Sequence, residues 1–168
     1  NLSAHGVIND PLLLVYENNV VLTGGFSAFG TNSRRGIAMF DAADGGLHAS
    51  FNPPLGGLAE VRTVKEDADG KVLIGGRFEF IGDVRVRHLA RLNADGTLDM
   101  PFLVNLGSGP DRAINAIEID DDGKILVGGT FSYFNDDPTG HLVRLNPDRT
   151  PDETFEPEIF APYVGVGV

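Results

Sequence analysis

Short apolar runs that end in glycine recur along the chain. Val20-Val21-Leu22-Thr23-Gly24-Gly25 reads like Lys71-Val72-Leu73-Ile74-Gly75-Gly76, and both read like Lys124-Ile125-Leu126-Val127-Gly128-Gly129. A Phe follows each run, at Phe26, Phe78 and Phe131, and a second large apolar residue follows that, at Phe29, Ile81 and Phe134. Next comes Ile37-Ala38-Met39-Phe40-Asp41, aligned with Leu89-Ala90-Arg91-Leu92-Asn93 and Leu142-Val143-Arg144-Leu145-Asn146. Polar turns follow at Ala43-Asp44-Gly45, Ala94-Asp95-Gly96 and Pro147-Asp148-Arg149, and each unit closes on a Phe: Phe51, Phe102 and Phe155. Counted from the first glycine of each pair, Gly24 to Gly75 is 51 residues and Gly75 to Gly128 is 53.

Inside a unit the pattern is that of strands. Val72-Leu73-Ile74 and Ile125-Leu126-Val127 are short enough, and apolar enough, for strands covered on both faces. Ile114-Asn115-Ala116-Ile117-Glu118-Ile119 is rich in β-branched residues, which suit a pleated sheet. Asp69-Gly70 and Asp122-Gly123 are hairpin signals because both turn positions tolerate positive φ, and Asn18-Asn19 stands in that place in the first unit. Four short antiparallel strands per unit of about 52 residues predict an all-β fold of β-propeller-type blades. The expected domain is 1–168, with repeats at 10–56, 57–109 and 110–160. Residues 161–168 (Ala161 to Val168) are expected to begin a further repeat or to supply a closing strand.

Composition supports many short strands. The 168 residues include 22 Gly and 10 Pro, about a fifth of the chain, without a collagen period. That suits tight turns. With no Cys there is neither a disulfide nor a thiolate metal site. The net charge of −11 disfavours nucleic acid and anionic lipid as partners. No apolar run approaches the ~20 residues of a membrane-spanning helix. A chain that opens on Asn1 without Met is expected to be a processed product or an excised fragment.

The string Asp-Gly-Lys, an apolar run, Gly-Gly, Phe, then Arg-Leu-Asn, Asp-Gly and a closing Phe resembles the delta-60 repeat, a bacterial β-propeller repeat. Leu98-Asp99-Met100-Pro101-Phe102 fits that family's closing Leu-Asp-x-x-Phe, and Pro151-Asp152-Glu153-Thr154-Phe155 nearly does. The first repeat departs from it with Leu47-His48-Ala49-Ser50-Phe51 and lacks Asp-Gly-Lys. The glycine-ended runs also resemble kelch blades, without their Tyr and Trp pattern. The delta-60 resemblance covers roughly residues 10–157. It implies a large exported or surface protein and supplies no catalytic residue.

Candidate chemistry is sparse. Arg91 and Arg144 occupy one slot in repeats two and three, with Met39 in repeat one. They are candidates to line a central channel and bind an acidic ligand, or else to pair with a turn carboxylate such as Asp69 or Asp122. Asp67-Ala68-Asp69-Gly70-Lys71 and Asp120-Asp121-Asp122-Gly123-Lys124 offer carboxylates to a hard cation. However, the twelfth-position Glu of a calcium loop is missing and a Lys follows the Gly, so they read as hairpin turns. Asn135-Asp136-Asp137 with Asp148 reads as a surface loop. His5, His48, His88 and His141 show no ligand spacing and read as surface or structural residues. Arg77, Arg85 and Arg87 read as charge that protects an edge strand. Gly24, Gly25, Gly75, Gly76, Gly128 and Gly129 are read as sites of close backbone approach, and Phe51, Phe102 and Phe155 as fillers between blades.

The sequence predicts a non-enzymatic module that binds a protein or glycan, or acts as a spacer, with no cofactor, metal or nucleic acid, and the resemblance implies an extracellular or cell-surface bacterial protein. A carbohydrate-active enzyme using Asp or Glu is the alternative, and a sugar-binding lectin with Phe29 and Phe134 as stacking rings is the third. Three blades leave two apolar end faces, so the chain is expected to be a homodimer or part of a longer chain that completes a ring.

Overall fold

The computed structural model describes residues 4–6, 12–56 and 59–157. The expected strand in 161–168 lies outside them. β1 (Ala4–Gly6) precedes the first repeat, which holds β2 (Leu13–Tyr16), β3 (Asn19–Thr23), β4 (Phe26–Phe29), β5 (Asn32–Ser33) and β6 (Ile37–Asp41). The second holds β7 (Glu60–Glu66), β8 (Val72–Arg77), β9 (Phe80–Ile81), β10 (Val84–Arg85), β11 (Leu89–Leu92) and the helix α1 (Met100–Leu106). The third holds β12 (Ile114–Ile119), β13 (Ile125–Gly129), β14 (Tyr133–Phe134), β15 (Asp137–Pro138) and β16 (Leu142–Leu145).

One sheet recurs three times. Its orders are β2-β3-β6, β7-β8-β11 and β12-β13-β16, all antiparallel. The fourth strand of each repeat is contracted to a single antiparallel bridge: Phe40 with Leu47, Leu92 with Leu98, and Leu145 with Pro151. Between the second and third strands the chain makes a small ribbon, β4-β5, β9-β10 or β14-β15, and β1 adds to the first of these.

The backbone ladders set the equivalences and correct the glycine register. Gly24, Gly76 and Gly129 each donate their N–H to the carbonyl before the third strand, at Gly36, His88 and His141. Gly24 therefore matches Gly76 and Gly129, Thr23 matches Gly75 and Gly128, and Gly25 falls in the slot of Arg77 and Thr130. The spacing becomes 52 and 53 residues. Turn length is the reason. β2 and β3 pair Tyr16 with Asn19 across two residues, whereas Asp67 and Lys71 enclose three, closed by Asp67 N–H to the Lys71 carbonyl at 3.0 Å.

The two glycines of a pair serve different ends. A Cβ on Gly76 would sit 2.0 Å from the Glu60 carbonyl oxygen, and one on Gly129 2.3 Å from that of Ala113. Both face the register shifts at Val61/Thr63 and Ile114/Ala116, where the first strand bulges inward. A Cβ on Gly75 would instead meet Ile114 and Ile117 of the next repeat, at 2.6 and 3.0 Å.

Two large apolar clusters lie between repeats. Val21, Ile37, Met39 and Phe51 of the first pack on Val64, Val72, Ile74 and Leu92 of the second. Leu73, Leu89, Phe102 and Leu106 of the second pack on Ile114, Ile117, Ile125 and Leu145 of the third. The first strands run beside one another: Thr63 Oγ1 accepts the Ile117 N–H at 3.2 Å, and Lys65 pairs with Glu118 at 2.9 Å.

The helix α1 is absent from the sequence-based expectation. Pro101 pre-sets its first turn, Phe102 and Leu106 share one buried face at i and i+4, and Gly107 ends it at φ +79°.

Candidate functional site

The repeated charges of the sequence converge on one place in repeat two. Arg91 sits on β11 with its side chain toward the third repeat, flanked by the carboxylates of the 67–71 turn and the closing segment. Its Nε donates to Asp99 at 2.6 Å, and one terminal nitrogen donates to Asp67 at 2.6 Å and to Asp69 at 3.1 Å. Lys71 adds a bond to Asp99 at 3.0 Å. The guanidinium carbon lies 5.2 Å from the centroid of Phe102, within cation–π range. From the third repeat Arg149 reaches back to Asp67 at 3.2 Å. Arg91, Asp67 and Asp99 are all buried.

Repeat three builds a reduced version. Arg144 Nε and Lys124 Nζ both donate to Asp152 at 2.8 Å, and the Arg144 guanidinium carbon lies 4.6 Å from the Phe155 centroid. In repeat one the slots of Lys71, Arg91 and Asp99 hold Asn19, Met39 and His48, and no such network forms. There the buried Arg34 holds the closing segment by donating to the carbonyls of His48 and Ala49 at 3.1 and 3.0 Å.

Burial opposes the charge on Arg91 but its bonds to Asp67 and Asp99 outweigh that, so its pKa is raised. Burial alone would raise Asp99; Lys71 and Arg91 hold it below the ordinary carboxylate value. Asp152 is driven well below that value by the bonds from Lys124 and then Thr154. A carboxylate depressed in the folded state stabilises the fold above its unfolded pKa, near 4, and that stability is lost as pH falls through the folded value. Urea unfolding should therefore give a midpoint that declines steadily below about pH 4, and Asp99→Asn should blunt that decline.

The acidic turns bond their own backbone. Asp67 Oδ1 accepts from Asp69 and Lys71, and Asp120 Oδ1 from Asp122 and Lys124. Asn135 ties α1 to the third repeat by accepting from Gly109 and donating to the Leu106 carbonyl. Among the described residues no group of three or more His, Asp or Glu is placed to hold a metal, and no helix is long and apolar enough to cross a membrane.

The family described as domain of unknown function (DUF5122) beta-propeller matches residues 68–102 and 121–155. Each match runs from the acidic turn to the closing Phe, so it spans the Lys, Arg and Asp of the network. The three repeats are β-propeller blades. Neither the curated proteins nor the solved structures contain a match to the chain.

As blades, the repeats have a leading and a trailing face. The trailing face of blade two is sealed: Leu73, Leu89 and Phe102 are at most 1% exposed. Their counterparts in blade three, Leu126, Leu142 and Phe155, are only half-buried. The leading face of blade one is barer still. Leu13 and Val15 are each 66% exposed, whereas Val64 and Ile117, in the slot of Leu13, are 7% and 1%.

Proposed function

We propose that the chain is a non-enzymatic β-propeller segment of the delta-60 kind that binds or scaffolds within an exported bacterial surface protein. The end faces carry this reading. Leu13, Val15, Leu22 and Phe40 on one side, and Leu126, Leu142 and Phe155 on the other, repeat the surfaces that seal the two internal interfaces. Covering one such residue contributes about 1.5–3 kcal/mol, so the surface fits a further blade from a second copy or from more of the same chain. The repeated polar residues support the non-enzymatic part, since Arg91, Asp67 and Asp99 are engaged with one another rather than with a cleft. The acidic surface, at a net charge of −11, suits a protein or glycan ligand better than a polyanion.

Molar mass in solution tests the reading. Light scattering on the 168-residue chain should give twice 17.9 kDa, and the Leu13→Asp/Val15→Asp variant should return to one chain with its sheet spectrum intact. A parent chain that stays at 17.9 kDa at high concentration would exclude a second copy as the cover and leave more of the same chain to supply it.

A further inference from the structure

Blade two carries a cleft of about 340 Å³ on the side away from the Arg91 network. Gly56, Ala59, Arg77, Phe78, Phe80 and His88 line it. Glu79 also lines it but is drawn toward Arg85, at 3.7 Å. Phe78 is buried, and Phe80 is 46% exposed.

His88 occupies a slot that the three blades fill differently. The slot has positive φ throughout: Gly36 at 71°, His88 at 73° and His141 at 64°. In blade three the ring of His141 bonds its own blade, with Nδ1 at 2.6 Å from the Phe131 carbonyl. In blade two the ring lines the cleft and is 8% exposed, and its Nδ1 is buried without a partner among the described residues. Burial lowers the His88 pKa, against the pull of Glu79 and Asp111 and together with the push of Arg85 and Arg87. The ring is therefore neutral near pH 7, with a single proton. Nδ1 is left unsatisfied in either tautomer, as a buried donor or a buried acceptor, at a cost of about 1–3 kcal/mol, and only the Nε2–H tautomer lets the ring's one N–H reach a partner. The proton thus sits on Nε2, the ring nitrogen that is not sealed off.

Two donors then serve one cleft: the Nε2–H of His88 and the guanidinium of Arg77, which has no ion pair among the described residues. A guanidinium matches a carboxylate with two parallel bonds, and the half-exposed Phe80 ring offers a flat apolar floor beside it. We propose that this cleft binds a small carboxylate carried on a ring-shaped body, by Arg77 and His88 at the carboxylate and Phe80 at the ring. Blades one and three place Gly25 with Gly36 and Thr130 with His141 in the same two slots, so the Arg–His pair belongs to blade two.

The array supplies its own control variants. Benzoate and glucuronate, titrated separately into the ¹⁵N-labelled chain, are followed on the His88 ring nitrogens and on the backbone amides of Arg77 to Phe80. The expected result is an Nε2–H tautomer in the free protein and a saturable Nε2 shift with at least one probe. Arg77→Thr, borrowed from blade three, should weaken binding about tenfold or more. His88→Gly, borrowed from blade one and free of strain at that φ, should abolish it while the blade-three amide spectrum stays unchanged. Saturation by benzoate alone marks an aromatic acid, and by glucuronate alone a sugar acid. No saturable shift with either up to about 50 mM, near the limit of useful affinity, would overturn the proposal. Equal binding by Arg77→Thr, or by neutral benzyl alcohol, would do the same.

Discussion

Gly76→Val is expected to unfold blade two, whereas Gly128→Thr is expected to leave the fold within about 1 kcal/mol of the parent. Both change a glycine of the same motif to a β-branched residue that strands ordinarily favour. At Gly76 the new Cβ would start 2.0 Å from the Glu60 carbonyl oxygen and 3.0 Å from the Arg62 nitrogen. Those are backbone atoms on both sides of a bulge, so no rotamer relieves the clash. Opening the bulge would shift β7 away from β12, and with it the Thr63 bond to Ile117. We expect a loss above about 4 kcal/mol, in the range reserved for broken backbone geometry. At Gly128 the nearest atom to a Cβ is Leu142 Cδ1, 3.8 Å away, and blade one already carries Thr23 in that slot. Thermal unfolding of the two variants checks the contrast, and similar losses would show that the pair acts as one unit.

Arg91→Met should cost about 3–5 kcal/mol, the range for removing one partner from a buried ion pair. The methionine is the residue of blade one and fits an apolar interface in volume. What it cannot do is satisfy Asp67 and Asp99, whose side chains are 2% and 3% exposed. Lys71 and Arg149 would then neutralise them only in part. Adding Asp99→His and Lys71→Asn brings in two more blade-one residues and removes one of the stranded charges. The triple variant should therefore be more stable than Arg91→Met alone, because contacting sites are not additive. Chemical denaturation of the single and triple variants measures this directly. A triple variant less stable than the single one would mean that the network contributes stability beyond mutual compensation.

Much of the fold was legible because the spacing of apolar residues and turns is repeated three times. A signal such as Phe51, Phe102 and Phe155 holds its register even where a single strand, such as Glu60 to Lys65, looks irregular. The irregularity itself had a cause: the bulge at Val61/Thr63 breaks the two-residue alternation. The offset at Gly25 arises because a run of two glycines can be aligned either way; the three-residue turn at 68–70 and the 52-residue spacing of Phe26 and Phe78 decide between them. The helix α1 was hidden by its length, although Pro101 and the Phe102–Leu106 spacing carried the signal. Arg91 and Arg144 stood out as a pair, but their partners Asp67, Asp99 and Asp152 lie up to 24 residues away in sequence. His88 could not be singled out, because its difference from His141 is the direction of a ring, not a residue type.

The likeness of the two end faces bears on how such a chain can lengthen. Duplicating one unit of about 52 residues inserts a trailing face and a leading face together. The longer array buries one more of each and still presents one of each, so the uncovered surface stays constant while the interior grows. Added copies therefore need no adaptation at the ends, and each can drift in its exposed loops. Blade two fits that layout: it shares the interior of its neighbours and alone carries Arg77 with His88 in those two slots.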